Sequence, residues 1–246
     1  MLKTRVIPTL LHKDFGLVKG LQFDSRRAVG SPMQAVKVYN LRNVDELAFL
    51  DVTATAEGRG PDFELIDELA DECFMPLAVG GGVRTLDDVR GLLAVGADKV
   101  VIGTAALEDA TLVNEAADRF GAQCVVVSID TRGDEVWSHS GTRPTGRPVV
   151  EVAEEMAGRG AGEILLQSIE RDGMMEGYDL ERIRAVSDAV SVPVIASGGA
   201  GTFAHMADAL DHGATAVAAA SMFHFTEQTP MEAKEFLRSH GVPVRA

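Results

Sequence analysis

Cysteine, basic charge and long apolar runs are all scarce in this chain, and each shortage closes off a class of protein. Two cysteines, Cys73 and Cys124, cannot frame a disulfide-stapled fold, and they show no metal-ligand spacing. The six histidines form no His-Glu-x-x-His or comparable pattern, so neither a metal nor a cofactor is expected. No Gly-x-Ser-x-Gly elbow marks a serine nucleophile, and no Gly-x-Gly-x-x-Gly follows the first strand candidate. No apolar stretch approaches the ~18–20 residues that span a bilayer. Pro8, His12 and Lys13 stand where a signal peptide needs an unbroken apolar run, so a cytoplasmic location is expected. Lys and Arg number 23 against 37 Asp and Glu, a net charge of −14. That balance argues against nucleic acid or an anionic membrane as the main partner. An anionic ligand must then be held by local backbone donors, not by the bulk field.

What is present reads as one large domain over residues 1–246, with 46% hydrophobic and 24% charged residues. Its most informative feature is an internal repeat. Pro76-Leu-Ala-Val-Gly-Gly-Gly-Val-Arg-Thr85 lines up with Pro193-Val-Ile-Ala-Ser-Gly-Gly-Ala-Gly-Thr202, 117 residues on. At the same offset Gly96-Ala97 meets Gly213-Ala214, Thr104 meets Ser221, Glu46 meets Glu163 and Asp51 meets Ser168. Short β-branched runs alternate with longer amphipathic ones, giving eight strand–helix units. The helical stretches fall near 31–43, 62–73, 86–95, 109–119, 148–159, 180–189, 203–212 and 230–239. Strands without polar alternation indicate a parallel sheet buried on both faces. Two tandem four-unit halves, about 1–120 and 121–246, predict a closed (β/α)8 TIM barrel instead of an open sheet.

In such a barrel the chemistry sits at the C-terminal strand ends. Gly81 and Gly82 after strand three, and Ser197, Gly198 and Gly199 after strand seven, let backbone N–H groups approach phosphate oxygens. Strands four and eight end in Gly103-Thr104 and Ala220-Ser221, each adding a hydroxyl beside the same turn. Two such grips on one mouth suggest a ligand with a phosphate at each end. Asp130, ending strand five, is the candidate general acid/base; the equivalent position on strand one is Leu11. Asp51, Ser140, Asp172 and Gly173 join the candidate ligand contacts, and Lys19 in a glycine-bearing segment is a candidate mobile phosphate clamp. At the opposite end, Arg5, Glu46, Lys99 and Glu163 begin strands one, two, four and six. Two cations and two anions there can close a ring, serving either as a structural plug or as a gate.

Together these blocks resemble the cyclase (HisF) subunit of imidazole glycerol phosphate synthase, from Arg5 to Arg245 without large gaps. The likeness rests on Leu50-Asp51-Val-Thr53-Ala, Gly80-Gly-Gly-Val-Arg84, Ala161-Gly-Glu-Ile-Leu-Leu166, Arg171-Asp-Gly173 and Val192-Pro-Val-Ile-Ala-Ser-Gly-Gly-Ala200. It implies a glutaminase (HisH-like) subunit docked on the barrel bottom, ammonia passing through the core, and a bis-phosphorylated ribulosyl substrate cyclised at the top. On that resemblance Arg5, Glu46, Lys99 and Glu163 match the ammonia gate, and Asp98 matches a glutaminase-contacting position. The family's two catalytic aspartates fall on positions 11 and 130, and position 11 is Leu. Gly103 replaces an Asn, Gln167 a Thr and Thr9 the usual Cys. Losing one general acid/base costs typically 10²–10⁴-fold. Leu at position 11, within Val6-Ile-Pro-Thr-Leu-Leu-His-Lys13, is similar to a branch of glycosyl amidation-associated (WbuZ-like) proteins. That branch implies a glutaminase and an ATP-dependent amidotransferase as partners in making acetamidino sugars of surface polysaccharide. The other readings are a working histidine-pathway cyclase and a non-enzymatic phosphate-sensing scaffold that regulates a glutaminase.

Overall fold

The computed structural model describes residues 3–42 and 44–245, apart from the side chains of residues 25 and 26. The first half runs β1 (Arg5–Lys13), β2 (Gly16–Leu21), β3 (Asp24–Gly30), α1 (Pro32–Leu41), β4 (Leu47–Asp51) and α2 (Phe63–Glu72). It continues through β5 (Leu77–Gly80), α3 (Leu86–Ala94), β6 (Lys99–Ile102), α4 (Thr104–Glu108) and α5 (Thr111–Phe120). The second half opens with β7 (Val125–Arg132), β8 (Glu135–Ser138), β9 (Arg143–Pro148), α6 (Val149–Gly158), β10 (Glu163–Ser168) and α7 (Leu180–Ala189). It ends with β11 (Val194–Ser197), α8 (Phe203–Asp211), β12 (Ala216–Ala219), α9 (Ser221–Phe225) and α10 (Pro230–Ser239).

Eight of these strands pair in parallel in the order β1, β4, β5, β6, β7, β10, β11, β12, and β12 returns to β1. The sheet therefore closes into a (β/α)8 TIM barrel. Two side-chain layers follow from the pleat. Outward residues such as Val6, Leu10, Leu47, Val100 and Ile164 pack under the helices. Inward residues Ile7, Ala48, Ala78, Val101, Val126, Leu165, Ile195, Ala216 and Ala218 fill the barrel. Four of those positions are alanine and all nine are apolar, so the interior is lined by hydrocarbon.

The sequence repeat survives as geometry. Helices α1, α2, α3 and α4 begin and end 117 residues before α6, α7, α8 and α9. Thr85 and Thr202 cap α3 and α8 in the same way, each side chain accepting the N–H three residues on. The expected helices all form, with ends shifted by one or two residues; the last residue of the 31–43 stretch lies outside those described.

Two departures matter for the mouth. Residues 16–30 form an antiparallel hairpin, β2–β3, extending β1, and residues 135–148 form a second, β8–β9, extending β7. Lys19 thus lies on a strand of the first hairpin, almost fully buried, where it lines the mouth. The short helices α4 and α9 also begin directly at Thr104 and Ser221. No helix among the described residues is long and apolar enough to cross a membrane.

Candidate functional site

The C-terminal strand ends surround a cavity holding about 1220 Å³ of empty space, its open solvent included. Asp130, Lys19, Asp51, Gly81, Gly82, Gly103, Thr104, Ser140, Asp172, Gly173, Ser197, Gly198, Gly199, Ala220 and Ser221 all line it. Leu11, Leu50, Phe23, Ser128 and Gln167 are also in the wall.

Gly81 and Gly198 show why the repeat requires glycine. Both have positive φ, 106° and 87°. A Cβ on Gly81 would strike the Asp51 carbonyl, and one on Gly198 would sit 2.5 Å from the Ser168 carbonyl. Any side chain would push the turn off the preceding strand. Thr104 Oγ1 accepts the His139 N–H at 2.8 Å, and Ser140 Oγ donates to the Val52 carbonyl at 3.1 Å. The β8–β9 hairpin of the second half is thereby tied over the first-half turns. The β2–β3 hairpin crosses the other way: the Gln22 N–H reaches the Asp172 carbonyl at 2.8 Å. Lys19 Nζ lies 3.3 Å from Asp172 Oδ1.

The three carboxylates of the mouth differ in kind. Asp130 sits on β7 with Ser128 Oγ 3.3 Å from its Oδ1. Burial pushes its carboxyl up to about 7, the Ser128 hydrogen bond opposes, and the negative Asp172 adds to the rise. That is the range in which a carboxylic acid exchanges protons at neutral pH. Asp51 is the reverse. Burial acts to raise it, yet His12, the Thr53 and Ala54 N–H groups and Arg59 hold it well below the usual carboxylate range. The two N–H donors and Arg59 lie within 2.9–3.1 Å, whereas His12 Nδ1 stands 3.9 Å away, beyond hydrogen-bond reach. Asp51 is thus held as an anion, the opposite of Asp130. His12 and Arg59 escaped sequence reasoning, since one is outward on β1 and the other lies in an irregular loop. Asp-x-Thr at 51–53, an Asx-turn pattern, was the available signal.

At the bottom, the four charged residues close a ring. Arg5 contacts Glu46 at 2.6 Å and Glu163 at 3.0 Å; Lys99 contacts the same two at 2.7 and 3.1 Å. Burial disfavours the Arg5 charge, but Glu46 and Glu163 more than offset it and raise its pKa. Each cation is shared by both anions, so all four charges of the ring are paired. Asp98 is exposed nearby, accepting the Leu77 N–H at 2.8 Å. Beside the ring, buried Lys234 on α10 holds Asp45 at 3.0 Å, and Asp45 also accepts the Val6 N–H at 3.1 Å.

Residues 5–229 match the family described as histidine biosynthesis protein. The chain belongs to that family. The match spans both half-barrels, from the ring residue Arg5 through the Ser221 turn, so ring and mouth both fall inside it. A histidine biosynthesis family barrel with Leu11 opposite Asp130 keeps the scaffold but presents one titratable carboxyl at the strand-one and strand-five positions.

Proposed function

We propose that the chain is the ammonia-receiving barrel of a glutamine amidotransferase pair, supporting amidation in surface-polysaccharide biosynthesis. A glutaminase would dock at the face carrying Asp98 and the Arg5–Glu46–Lys99–Glu163 ring. Ammonia released there would pass the apolar interior to the mouth. The observation that carries the reading is Leu11, opposite Asp130 above a fully paired ring. The four ring residues that the resemblance assigns to an ammonia gate contact one another, while the position opposite Asp130 carries a hydrocarbon; both support the reading. A separate ATP-dependent enzyme would then supply the activated acceptor.

Two measurements test this. The chain is mixed with a HisH-like glutaminase and complex formation is followed by sedimentation. Turnover of the ribulosyl-formimino substrate is then measured with abundant ammonium. Complex formation with negligible cyclisation is expected; turnover at ordinary cyclase rates overturns the amidation reading in favour of a histidine-pathway cyclase. That second reading has one observation in its favour, the near-neutral Asp130 carboxyl. It requires turnover that disappears in Asp130→Asn.

A further inference from the structure

The β7–β8 hairpin places the chain's single tryptophan beside Asp130. On β8, Val136 joins the core under the helices, so the alternation of a strand turns Trp137 to the opposite face. The register sets Trp137 directly across from Asp130 and Glu135 across from Arg132. Opposed residues of an antiparallel pair share one face, with Cβ atoms about 4.5–5.5 Å apart. On its other side Trp137 pairs with Pro144 of β9. Arg132, two residues beyond Asp130 on the same face, holds its guanidinium 4.9 Å from the indole centroid. The indole Nε1 is buried and has no hydrogen-bond partner among the described residues, so that edge of the ring is dry. Asp130 is in the wall of the mouth and Trp137 is not, which puts the indole behind the carboxyl as a ligand would meet it.

We propose that Trp137 is a positioning residue for Asp130, its indole, held by Arg132, closing the carboxyl off from water on the hairpin side. Burial is the largest cause of the raised Asp130 pKa, and the indole is a large apolar body placed to supply part of it. A carboxyl that keeps its proton near neutrality donates to an uncharged acceptor, a carbonyl oxygen or an imine nitrogen of the ligand. The charged groups facing Asp130 are Asp172 with its partner Lys19, and Arg132 and Glu135 on its own hairpin face. Gln167, its register partner on β10, is neutral. All of these remain when the indole is removed, so a change in Asp130 then reports the lost wall. The proposal rests on the acid/base reading of Asp130 and adds the residue behind it.

Two measurements test it. Carboxyl-carbon NMR follows the titration midpoint of Asp130 in wild type, Trp137→Phe and Trp137→Ala. Trp137→Ala should lower the midpoint from about 7 by about one pH unit, a tenfold change in proton affinity, and Trp137→Phe should largely restore it. A residue that only stabilised the hairpin would lower the melting temperature and leave the midpoint in place, and that outcome overturns the proposal. The second measurement needs no substitution at position 137. Emission of the single tryptophan across pH 4–9 should show a step at the Asp130 midpoint, and the step should vanish in Asp130→Asn. Should Trp137→Ala fail to fold, this titration decides alone: flat emission, or a step that persists in Asp130→Asn, overturns the proposal. A wild-type midpoint in the ordinary carboxylate range overturns the acid/base reading as well, whereas a midpoint near 7 that ignores Trp137→Ala overturns the positioning role only.

Discussion

Leu11 and Asp130 occupy equivalent places on opposite strands of the barrel, β1 and β7, and both face the mouth. Only Asp130 can move a proton, and its burial has already brought the carboxyl into the neutral range. On the cyclase reading, a carboxylate at position 11 would supply the second acid/base opposite Asp130. Leu11→Asp is expected to raise turnover of the ribulosyl substrate by about 10²–10⁴-fold, the usual worth of a positioned acid/base. Steady-state assay with saturating ammonium measures it. No gain would count against the cyclase reading of the mouth.

The ring predicts a stability effect of definite sign. Glu46 is shared by Arg5 at 2.6 Å and Lys99 at 2.7 Å, and its side chain is only 3% exposed. Glu46→Ala leaves buried Arg5 and half-buried Lys99 facing the lone Glu163. Breaking one partner out of a buried pair costs about 3–5 kcal/mol, and the remaining Glu163 contact puts this case at the lower end. Urea unfolding should register about 3 kcal/mol. A change below about 1 kcal/mol would mean that water already penetrates the ring.

The mouth carboxylates give stability opposite pH slopes in different windows. Asp130 has a raised folded-state pKa, so the folded protein holds its proton more tightly than the unfolded chain. Stability from this group is complete below about pH 4 and declines as pH rises toward 7, by on the order of 2–4 kcal/mol. Asp51 is depressed, so its contribution is present above about pH 4 and is lost on further acidification. Asp130→Asn should flatten the decline between pH 4 and 7 without touching the acid limb; Asp51→Asn should do the reverse. Unfolding free energies of wild type and both variants across pH 2–8 check this, and a difference between wild type and Asp130→Asn that stays flat from pH 4 to 7 would contradict the Asp130 assignment.

What the sequence disclosed and what it hid have a common cause. The barrel strands, the glycine turns and the ring are fixed by repeating local chemistry, so Gly81, Gly198, Glu46 and Glu163 could each be checked against a counterpart. The hairpins were hidden because their residues obey no such period. β9 is Arg143-Pro-Thr-Gly-Arg-Pro148, with two prolines and mostly exposed side chains, and β2–β3 pairs through register shifts around Val18 and Lys19. Helices α4 and α9 are five residues long, too short for a helical period to show. Thr104 accepts the His139 N–H, while the buried Ser221 Oγ has no hydrogen-bond partner among the described residues. Their unequal state depends on what each hairpin reaches across the mouth, a contact that no spacing records.

The Lys19–Asp172 pair leads to a prediction about Asp130 itself. Asp172 comes from the loop after β10, Lys19 from the β2–β3 hairpin, and their contact at 3.3 Å bridges the two halves. Burial is the main cause of the high Asp130 pKa, and the negative charge of Asp172 contributes in the same direction. Asp172→Asn removes that charge and frees Lys19 from its partner, so both changes favour an ionised Asp130. Its titration midpoint should move down from about 7 while staying above the ordinary carboxylate range, because the burial persists. Carboxyl-carbon NMR of Asp130 across pH 4–9 resolves the shift, with Asp130→Asn to assign the resonance. An unchanged midpoint would mean that Lys19 already screens Asp172 fully. An upward shift would mean that Lys19 leaves the mouth when its partner is lost, opening the hairpin on the strand-one side.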